Sequence, residues 1–133
     1  MSENYRIRMW TEDDRPQLKA LWKTAFADDN AFIDGFFDAF LRPGCCVVAE
    51  GGGKVVSAMY ILRGQILYPY RRNTLTADYT YALATLPDWR GQGIGTAVYR
   101  AASDAALKNA EAACVLPAER ALYPFYERAT GAA

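Results

Sequence analysis

The chain has 133 residues, of which 52% are hydrophobic, and this length suffices for one domain with one hydrophobic core. We therefore expect residues 1–133 to form a single domain. The 15 basic and 15 acidic residues balance, so the composition gives no electrostatic footprint for nucleic acid. No segment approaches the ~18 uninterrupted apolar residues of a membrane span, and residues 1–6 have no apolar signal core. These observations predict a cytoplasmic protein with neither a nucleic-acid nor a membrane partner.

The absence of histidine restricts the chemistry that the chain can perform. It excludes Ser–His and Cys–His nucleophilic catalysis, together with every histidine-based metal site within the chain. Cys45 and Cys46 adjoin in a strand-like run, and Cys114 lies in another apolar run. We interpret all three as free core thiols in a reducing compartment and expect no metal site.

The first third of the chain predicts one strand followed by two helices. Alternation of apolar and basic residues predicts a strand over 5–10, and Thr11 is a natural N-cap for the helix that follows. The first helix has an apolar stripe with helical spacing, formed by Leu18, Leu21, Trp22, Ala25 and Phe26. A second helix is expected from about residue 30 to residue 41, ended by Pro43 and Gly44. Its apolar side, expected to belong mainly to the core, is formed by Phe32, Ile33, Phe36, Phe37 and Phe40.

The rest of the chain predicts strands alternating with helices. Strands over 45–50 and 54–67 are joined by Gly51-Gly52-Gly53, and the second strand is expected to continue or bend near Arg63-Gly64. The remaining predicted elements are a strand over 78–86, a helix over 93–109, a strand over 112–116 and a helix over 119–128. The helix over 93–109 has small apolar residues on the side expected to pack on the sheet, namely Ile94, Ala97, Val98, Ala101 and Ala105.

A glycine-rich hexapeptide separates the strand over 78–86 from the helix after it. Its sequence is Arg90-Gly91-Gln92-Gly93-Ile94-Gly95. Glycine lets the backbone approach a ligand closely, and the start of a helix offers unpaired N–H groups to an anion. The spacing matches neither the dinucleotide pattern G-x-G-x-x-G nor a P-loop. A plain turn between strand and helix is the alternative to a phosphate cradle.

Two motifs in this sequence resemble the GCN5-related N-acetyltransferase (GNAT) family. Residues 90–95 fit the family's pyrophosphate-binding pattern [QR]-x-x-G-x-[GA], and Leu122-Tyr123-Pro124-Phe125-Tyr126-Glu127-Arg128 followed by Gly131 looks like its closing motif. With Leu116-Pro117-Ala118-Glu119, the likeness is greatest to the N-terminal domain of Eis-like (enhanced intracellular survival) acetyltransferases. The resemblance implies an α/β (α+β) acyl-CoA N-acyltransferase fold with a mixed, mostly antiparallel sheet flanked by helices. The family's last two strands would be missing from this chain, which ends at Gly131-Ala132-Ala133.

The resemblance also implies roles for individual residues. Backbone amides of Leu83, Ala84 and Thr85 would face the acetyl group and pantetheine arm of acetyl-coenzyme A. The backbone from Arg90 through Gly91, Gln92, Gly93, Ile94 and Gly95 to Thr96 would hold the pyrophosphate. Tyr126 would protonate the coenzyme A thiolate. The general base is open: Asp78 is near the family's position, which Tyr79 aligns with better, and Glu119 and Glu127 are alternatives.

The expected activity is therefore transfer of an acetyl group from acetyl-CoA to a primary amine, by direct attack in a ternary complex. Two alternatives stay open: a domain that binds coenzyme A with weak or no catalysis, and a structural or interaction module that keeps only the fold. The acceptor is expected to be a small-molecule amine, with polyamines, aminoglycosides, amino acids and peptide amines equally compatible. Because an uncovered edge strand invites pairing, we expect a homo-oligomer or a part of a longer protein.

Overall fold

The structure is a computed structural model that describes residues 4–67, 74–115 and 124–125. Six strands are formed in the described part: β1 Tyr5–Met9, β2 Cys46–Gly51, β3 Lys54–Leu62, β4 Gln65–Leu67, β5 Thr74–Thr85 and β6 Ala112–Cys114. Three α-helices accompany them: α1 Arg15–Phe26, α2 Asn30–Phe40 and α3 Ile94–Asn109. Short 3-10 turns, Glu12–Asp14 and Pro87–Trp89, precede α1 and α3. Of the helix predicted over 119–128, only the helical pair Pro124 and Phe125 is described.

The strands form one mixed, mostly antiparallel sheet, as predicted. The order is β1-β2-β3-β5-β4, with β6 pairing β5 in the parallel sense. The strand predicted over 54–67 is interrupted at Arg63-Gly64, so that β3 and β4 pair successive parts of β5. At this interruption the chain remains hydrogen-bonded to β5, because the Gly64 carbonyl accepts the Ala77 N–H at 3.0 Å.

The sheet separates two hydrophobic cores. Adjacent residues of β2 point to opposite faces, so Val48 packs beneath α1 and α2 whereas Val47 packs beneath α3. The first core is built on Leu18 and Phe37, which are both fully buried. A strand buried on both faces reads as a continuous apolar run, which is what β2 and β3 show in the sequence.

Two expectations about the buried helix faces need correction. On α2, Ile33, Phe36 and Phe37 are buried, but the rings of Phe32 and Phe40 are 49% and 50% exposed. The helix meets the sheet along a stripe narrower than its run of phenylalanines, so the outer two rings face solvent. On α3, the buried residues are Ile94, Val98, Tyr99, Ala102 and Ala106. Ile94 and Val98 belong to the predicted stripe, but the other buried positions each follow a predicted one by one or two residues.

An ion-pair network connects the 3-10 turn before α1 to strands β1 and β2. Arg8 on β1 donates two hydrogen bonds to Asp14, at 2.8 and 2.9 Å, and one to Glu50 on β2 at 2.8 Å. Asp14 also accepts the backbone N–H of Thr11 at 2.8 Å, which is the Asp14 half of a capping box with Thr11. These hydrogen bonds, chiefly those from Arg8, hold the pKa of Asp14 below its usual range against the opposing effect of burial.

Candidate active site

The β5 strand carries an irregularity that sequence analysis did not predict. Ala58 lies opposite Ala84, but Tyr60 lies opposite Tyr81, so β5 has one extra residue in this stretch. The bulge contains Ala82 with a φ of 59°. In consequence Tyr81 and Ala82 both contact the core beneath α1 and α2, whereas Leu83 joins the core on the α3 side.

Beyond the bulge, β5 has lost its parallel neighbour. The ladder with β6 covers only Ala77 to Tyr79, opposite Ala112 to Cys114, while β5 runs on to Thr85. Thr80 caps the end of the ladder by donating its hydroxyl hydrogen to the Cys114 carbonyl at 3.1 Å. The edge of β5 from Leu83 onward is thus free of β6 within the described chain, and its backbone groups can serve a ligand.

The glycine-rich turn delivers the start of α3 to this same place. Gly91 and Gly93 have φ values of 77° and 82°, a conformation that side-chain-bearing residues rarely adopt. Gly93 is the N-cap of α3 and makes no side-chain capping hydrogen bond. The first backbone N–H groups of a helix have no partner within the helix, and its N-terminus carries partial positive charge. The turn therefore presents a group of anion-binding donors.

These elements enclose a cleft of about 490 Å³. Eight of the ten residues predicted to bind a cofactor line it: Leu83, Thr85, Arg90, Gly91, Gly93, Ile94, Gly95 and Thr96. The other two predicted residues lie elsewhere. The Ala84 side chain is buried in the core beneath α1 and α2, and Gln92 is exposed outside the lining.

Two aromatic walls of the cleft, Trp89 and Phe125, are absent from the sequence prediction. Trp89 packs against the β2–β3 hairpin so closely that a Cβ on Gly51 would lie 2.8 Å from its ring. Phe125 comes close to α3, since a Cβ on Gly95 would lie 3.9 Å from its ring. Their sequence signal was position alone, because each adjoins a motif residue, Arg90 in one case and Tyr126 in the other.

A pair of hydroxyl groups, one from the buried Ser57 and one from the half-buried Thr85, fixes the end of β5 at the cleft. Ser57 donates to the Ala84 carbonyl at 2.9 Å, which leaves its oxygen to accept from the Thr85 hydroxyl at 2.8 Å. Arg90 donates from Nε to the Thr85 carbonyl at 3.1 Å. The strand end and the glycine-rich turn are thus tied together, so the cleft has a defined shape.

Of the predicted catalytic residues, only Asp78 lies in the described part of the chain. Asp78 is 3% exposed and forms an ion pair with Arg63, whose side chain is 43% exposed. Any proton transfer to Asp78 would have to share the carboxylate with that guanidinium. Tyr126 and the alternative bases, Glu119 and Glu127, lie outside the described residues.

The protein has an α/β fold with a mixed sheet. The N-terminus of α3, where Gly93 is the N-cap, lies at the cleft beside the part of β5 that β6 does not pair. A model of the acetyltransferase (GNAT) domain matches residues 6–129. The chain therefore belongs to the GNAT acetyltransferase family.

Solved structures with the same fold agree with this assignment. A candidate acetyltransferase from Agrobacterium tumefaciens str. C58 is 26% identical with a TM-score of 0.73, over 94% of this chain and 91% of that one. A GCN5-related N-acetyltransferase from Kribbella flavida is 21% identical with a TM-score of 0.76, over 91% of this chain but 32% of that one. Aminoglycoside N-acetyltransferase AAC(6')-Iy, solved with CoA, is 12% identical with a TM-score of 0.76, over 96% of this chain and 86% of that one. A comparison with curated proteins finds no match. No helix in the described part of the chain is long and apolar enough to span a membrane.

Proposed function

We propose that this protein is an N-acetyltransferase that transfers an acetyl group from acetyl-CoA to a primary amine by direct attack in a ternary complex. The observation that carries the proposal is the uncapped N-terminus of α3 at the cleft, beside the end of β5 that β6 leaves free. Family membership supports acetyl transfer in general. The cofactor, the amine and the order of events are the proposed refinements.

The cleft residues suit an acyl-CoA. Backbone N–H groups of the turn and of the first turn of α3, from Arg90 to Thr96, would hold the pyrophosphate. The backbone of Leu83, Ala84 and Thr85 would bind the pantetheine arm and the acetyl carbonyl, in the stretch that lacks a β6 partner. Gly95 leaves room there, because even a single Cβ would come within 3.6 Å of Thr85 Oγ1. When bound, acetyl-CoA supplies a thioester as the acyl donor.

The transfer requires two proton movements besides the new bond. The neutral amine nitrogen attacks the acetyl carbon, a C–N bond forms, and the C–S bond breaks. A base must take the proton that the amine loses, and we assign Asp78 to this role, with Glu119 and Glu127 as the other candidates. Tyr126 gives a proton to the departing thiolate. Each transfer of this kind contributes about 10²–10⁴-fold to the rate.

The decisive experiment uses Gly95→Asp. Position 95 is in the first turn of α3, where an acidic residue favours the helix, so the variant should fold. Its carboxylate would occupy the cleft and repel the pyrophosphate. At acetyl-CoA one hundred times its dissociation constant, the natural protein should gain about 2.7 kcal/mol of stability and the variant none.

Gly35→Asp is the matched control for the added charge. Gly35 lies on α2, and a Cβ there would meet nothing within 4 Å. This control should keep the full cofactor-dependent shift in melting temperature. If acetyl-CoA does not stabilise the natural protein, or stabilises Gly95→Asp equally, the proposed cofactor site is wrong.

Release of free thiol separates an enzyme from a domain that only binds the cofactor. Acetyl-CoA binding without amine-dependent thiol release would favour the non-catalytic alternative.

The Eis-like resemblance rests on residues 116–131, which lie almost wholly outside the described residues. AAC(6')-Iy shares 12% identity with this chain, and this likeness supports aminoglycosides no more than other amines as the acceptor.

A further inference from the structure

The hydroxyl pair at the end of β5 has a fixed direction of hydrogen donation. Ser57 is fully buried, and its oxygen lies 2.9 Å from the Ala84 carbonyl oxygen, which can only accept. A serine hydroxyl has a single hydrogen, so Ser57 gives it to Ala84 and must accept from Thr85, whose oxygen lies 2.8 Å away. The hydroxyl hydrogen of Thr85 is therefore directed at a buried partner and not into the cleft.

The Thr85 oxygen keeps its capacity to accept a hydrogen bond in the cleft. Thr85 lines the cleft, and a Cβ on Gly95, another lining residue, would lie 3.6 Å from Thr85 Oγ1. In the described part of the chain, Ser57 alone is hydrogen-bonded to this hydroxyl, which leaves lone pairs of the oxygen unused. Donation to Ser57 also polarises the Thr85 oxygen and strengthens it as an acceptor. The cleft thus contains an acceptor whose orientation is set before any ligand binds.

This polarity suits one part of an acyl-CoA and not another. Pyrophosphate oxygens are negatively charged acceptors, so the lone pairs of Thr85 would repel them. The pantetheine arm carries amide N–H groups, which are donors for such an oxygen. Thr85 also lies on β5 beyond the ladder with β6, whereas the anion-binding N–H groups belong to the glycine-rich turn and α3. The Thr85 oxygen therefore suits the arm rather than the pyrophosphate.

We infer that Thr85 Oγ1 accepts a hydrogen bond from an amide N–H of the pantetheine arm, and that Ser57 is the positioning residue that holds Thr85 as an acceptor. This inference rests on the proposed acetyl-CoA site and adds side-chain recognition of the arm to its backbone contacts. Without Ser57, the Thr85 hydroxyl is free to turn its hydrogen into the cleft, where it would oppose the N–H of the ligand.

Calorimetric titration of the whole chain with two probes tests the role of Thr85. Acetyl-CoA carries the arm, whereas adenosine 3',5'-bisphosphate carries the nucleotide without the arm. Thr85→Val keeps the branched shape of threonine and should raise the dissociation constant of acetyl-CoA about three- to tenfold, the effect of one lost hydrogen bond. The dissociation constant of adenosine 3',5'-bisphosphate should not change. Thr85→Ser should restore the affinity for acetyl-CoA, because it restores the hydroxyl group.

Thr76→Val is the matched control, because it removes a threonine hydroxyl from the same strand. Thr76 Oγ1 accepts the Glu111 N–H at 3.0 Å, and Thr76 does not line the cleft. This variant should bind both probes as the natural protein does, whatever its melting temperature. Equal weakening of both probes by Thr85→Val, or equal weakening of acetyl-CoA by Thr76→Val, would overturn the inference.

A double-mutant cycle tests Ser57 as a positioning residue. Ser57→Ala alone should raise the dissociation constant of acetyl-CoA about threefold, because Thr85 is no longer held as an acceptor. Added to Thr85→Val, it should have no further effect on binding, since no hydroxyl group is left to position. Unchanged affinity in Ser57→Ala, or its full effect repeated in the double variant, would show that Ser57 only supports the strand and would overturn its assigned role.

Failure of the proposed function would be recognised separately. If the natural protein binds neither probe, the cofactor site itself is wrong and the inference fails with it. If the natural protein and Thr85→Val bind acetyl-CoA equally well, the cofactor site stands and the role of Thr85 is rejected.

Discussion

The three glycines of the cradle act in two physically different ways. Gly91 and Gly93 supply positive φ values, so they shape the turn. Gly95 has an ordinary helical backbone and instead leaves space, because a longer side chain there would grow toward Thr85, Leu83 and Phe125. The sequence of the motif does not distinguish the glycines that need a positive φ from the glycine that leaves space. The distinction is what makes position 95 the cleaner place to block the cleft without straining the backbone.

Asp78 can be tested as a base through its asparagine variant. Asp78→Asn should lower kcat by about 10²-fold or more. Arg63 would be left without its partner, but it is 43% exposed and can be solvated, so folding should survive. Asp104→Asn, at an exposed position of α3, is the control. Full activity with a lowered melting temperature would mean that Asp78 serves only as the partner of Arg63.

Tyr126 can be tested against its neighbour in sequence. If its hydroxyl protonates the thiolate, Tyr126→Phe should lower kcat by about 10²-fold or more with cofactor affinity unchanged. Tyr123→Phe should have a much smaller effect in the same thiol-release assay. Equal and small losses from both variants would assign the two tyrosines to packing and leave water as the proton donor.

At the scale of elements, the joint between β1, α1 and β2 makes stability depend on pH. Asp14 has a pKa lowered in the folded protein, chiefly by Arg8, and an unfolded aspartate titrates near a pKa of about 3.9. A lowered folded pKa contributes stability above the unfolded value, and that contribution is lost as the pH falls through the folded value. Arg8 and Arg6 lower the pKa of Glu50 in the same direction.

Urea unfolding between pH 7 and pH 2.5 should therefore show stability falling steadily below about pH 4. Asp14→Asn should be less stable than the natural protein at pH 7 and should approach it at low pH, where the natural carboxyl is protonated. Glu50→Gln should have a smaller effect, because Glu50 is more exposed than Asp14. Parallel stability curves for the natural protein and Asp14→Asn would show that the Arg8 network contributes little to folding.

Some elements could be predicted from the sequence and others could not. Helices α1 and α2 have local signals, namely the Thr11 cap of the 3-10 turn before α1 and apolar residues at helical spacing in both helices. The exposure of Phe32 and Phe40 depends on how far the sheet extends beneath α2, which local spacing cannot specify. The β5 bulge also escaped prediction, because Tyr81-Ala82-Leu83 reads as ordinary strand and only the pairing with Tyr60 and Ala58 reveals the extra residue.

For the whole molecule, the prediction concerns self-association. Within the described residues β6 has one hydrogen-bonded neighbour, β5, so its other edge is open. An open strand edge favours association. Light scattering over a range of concentrations should therefore detect a dimer or larger species. A monodisperse and active monomer at every concentration would contradict this expectation.

The sequence by itself determined the order of the described helices and strands up to β6, the glycine-rich turn and most of the residues that line the cleft, because these depend on spacing along the chain and on local backbone preference. The tertiary structure determined which residues from distant segments contact each other. It placed Trp89 against Gly51 and paired the buried Asp78 with Arg63, and it brought the rings of α1 and α2 to Tyr81 beside the gap in the sheet. These contacts join residues far apart in sequence, and they exist only once strand register and helix packing are fixed.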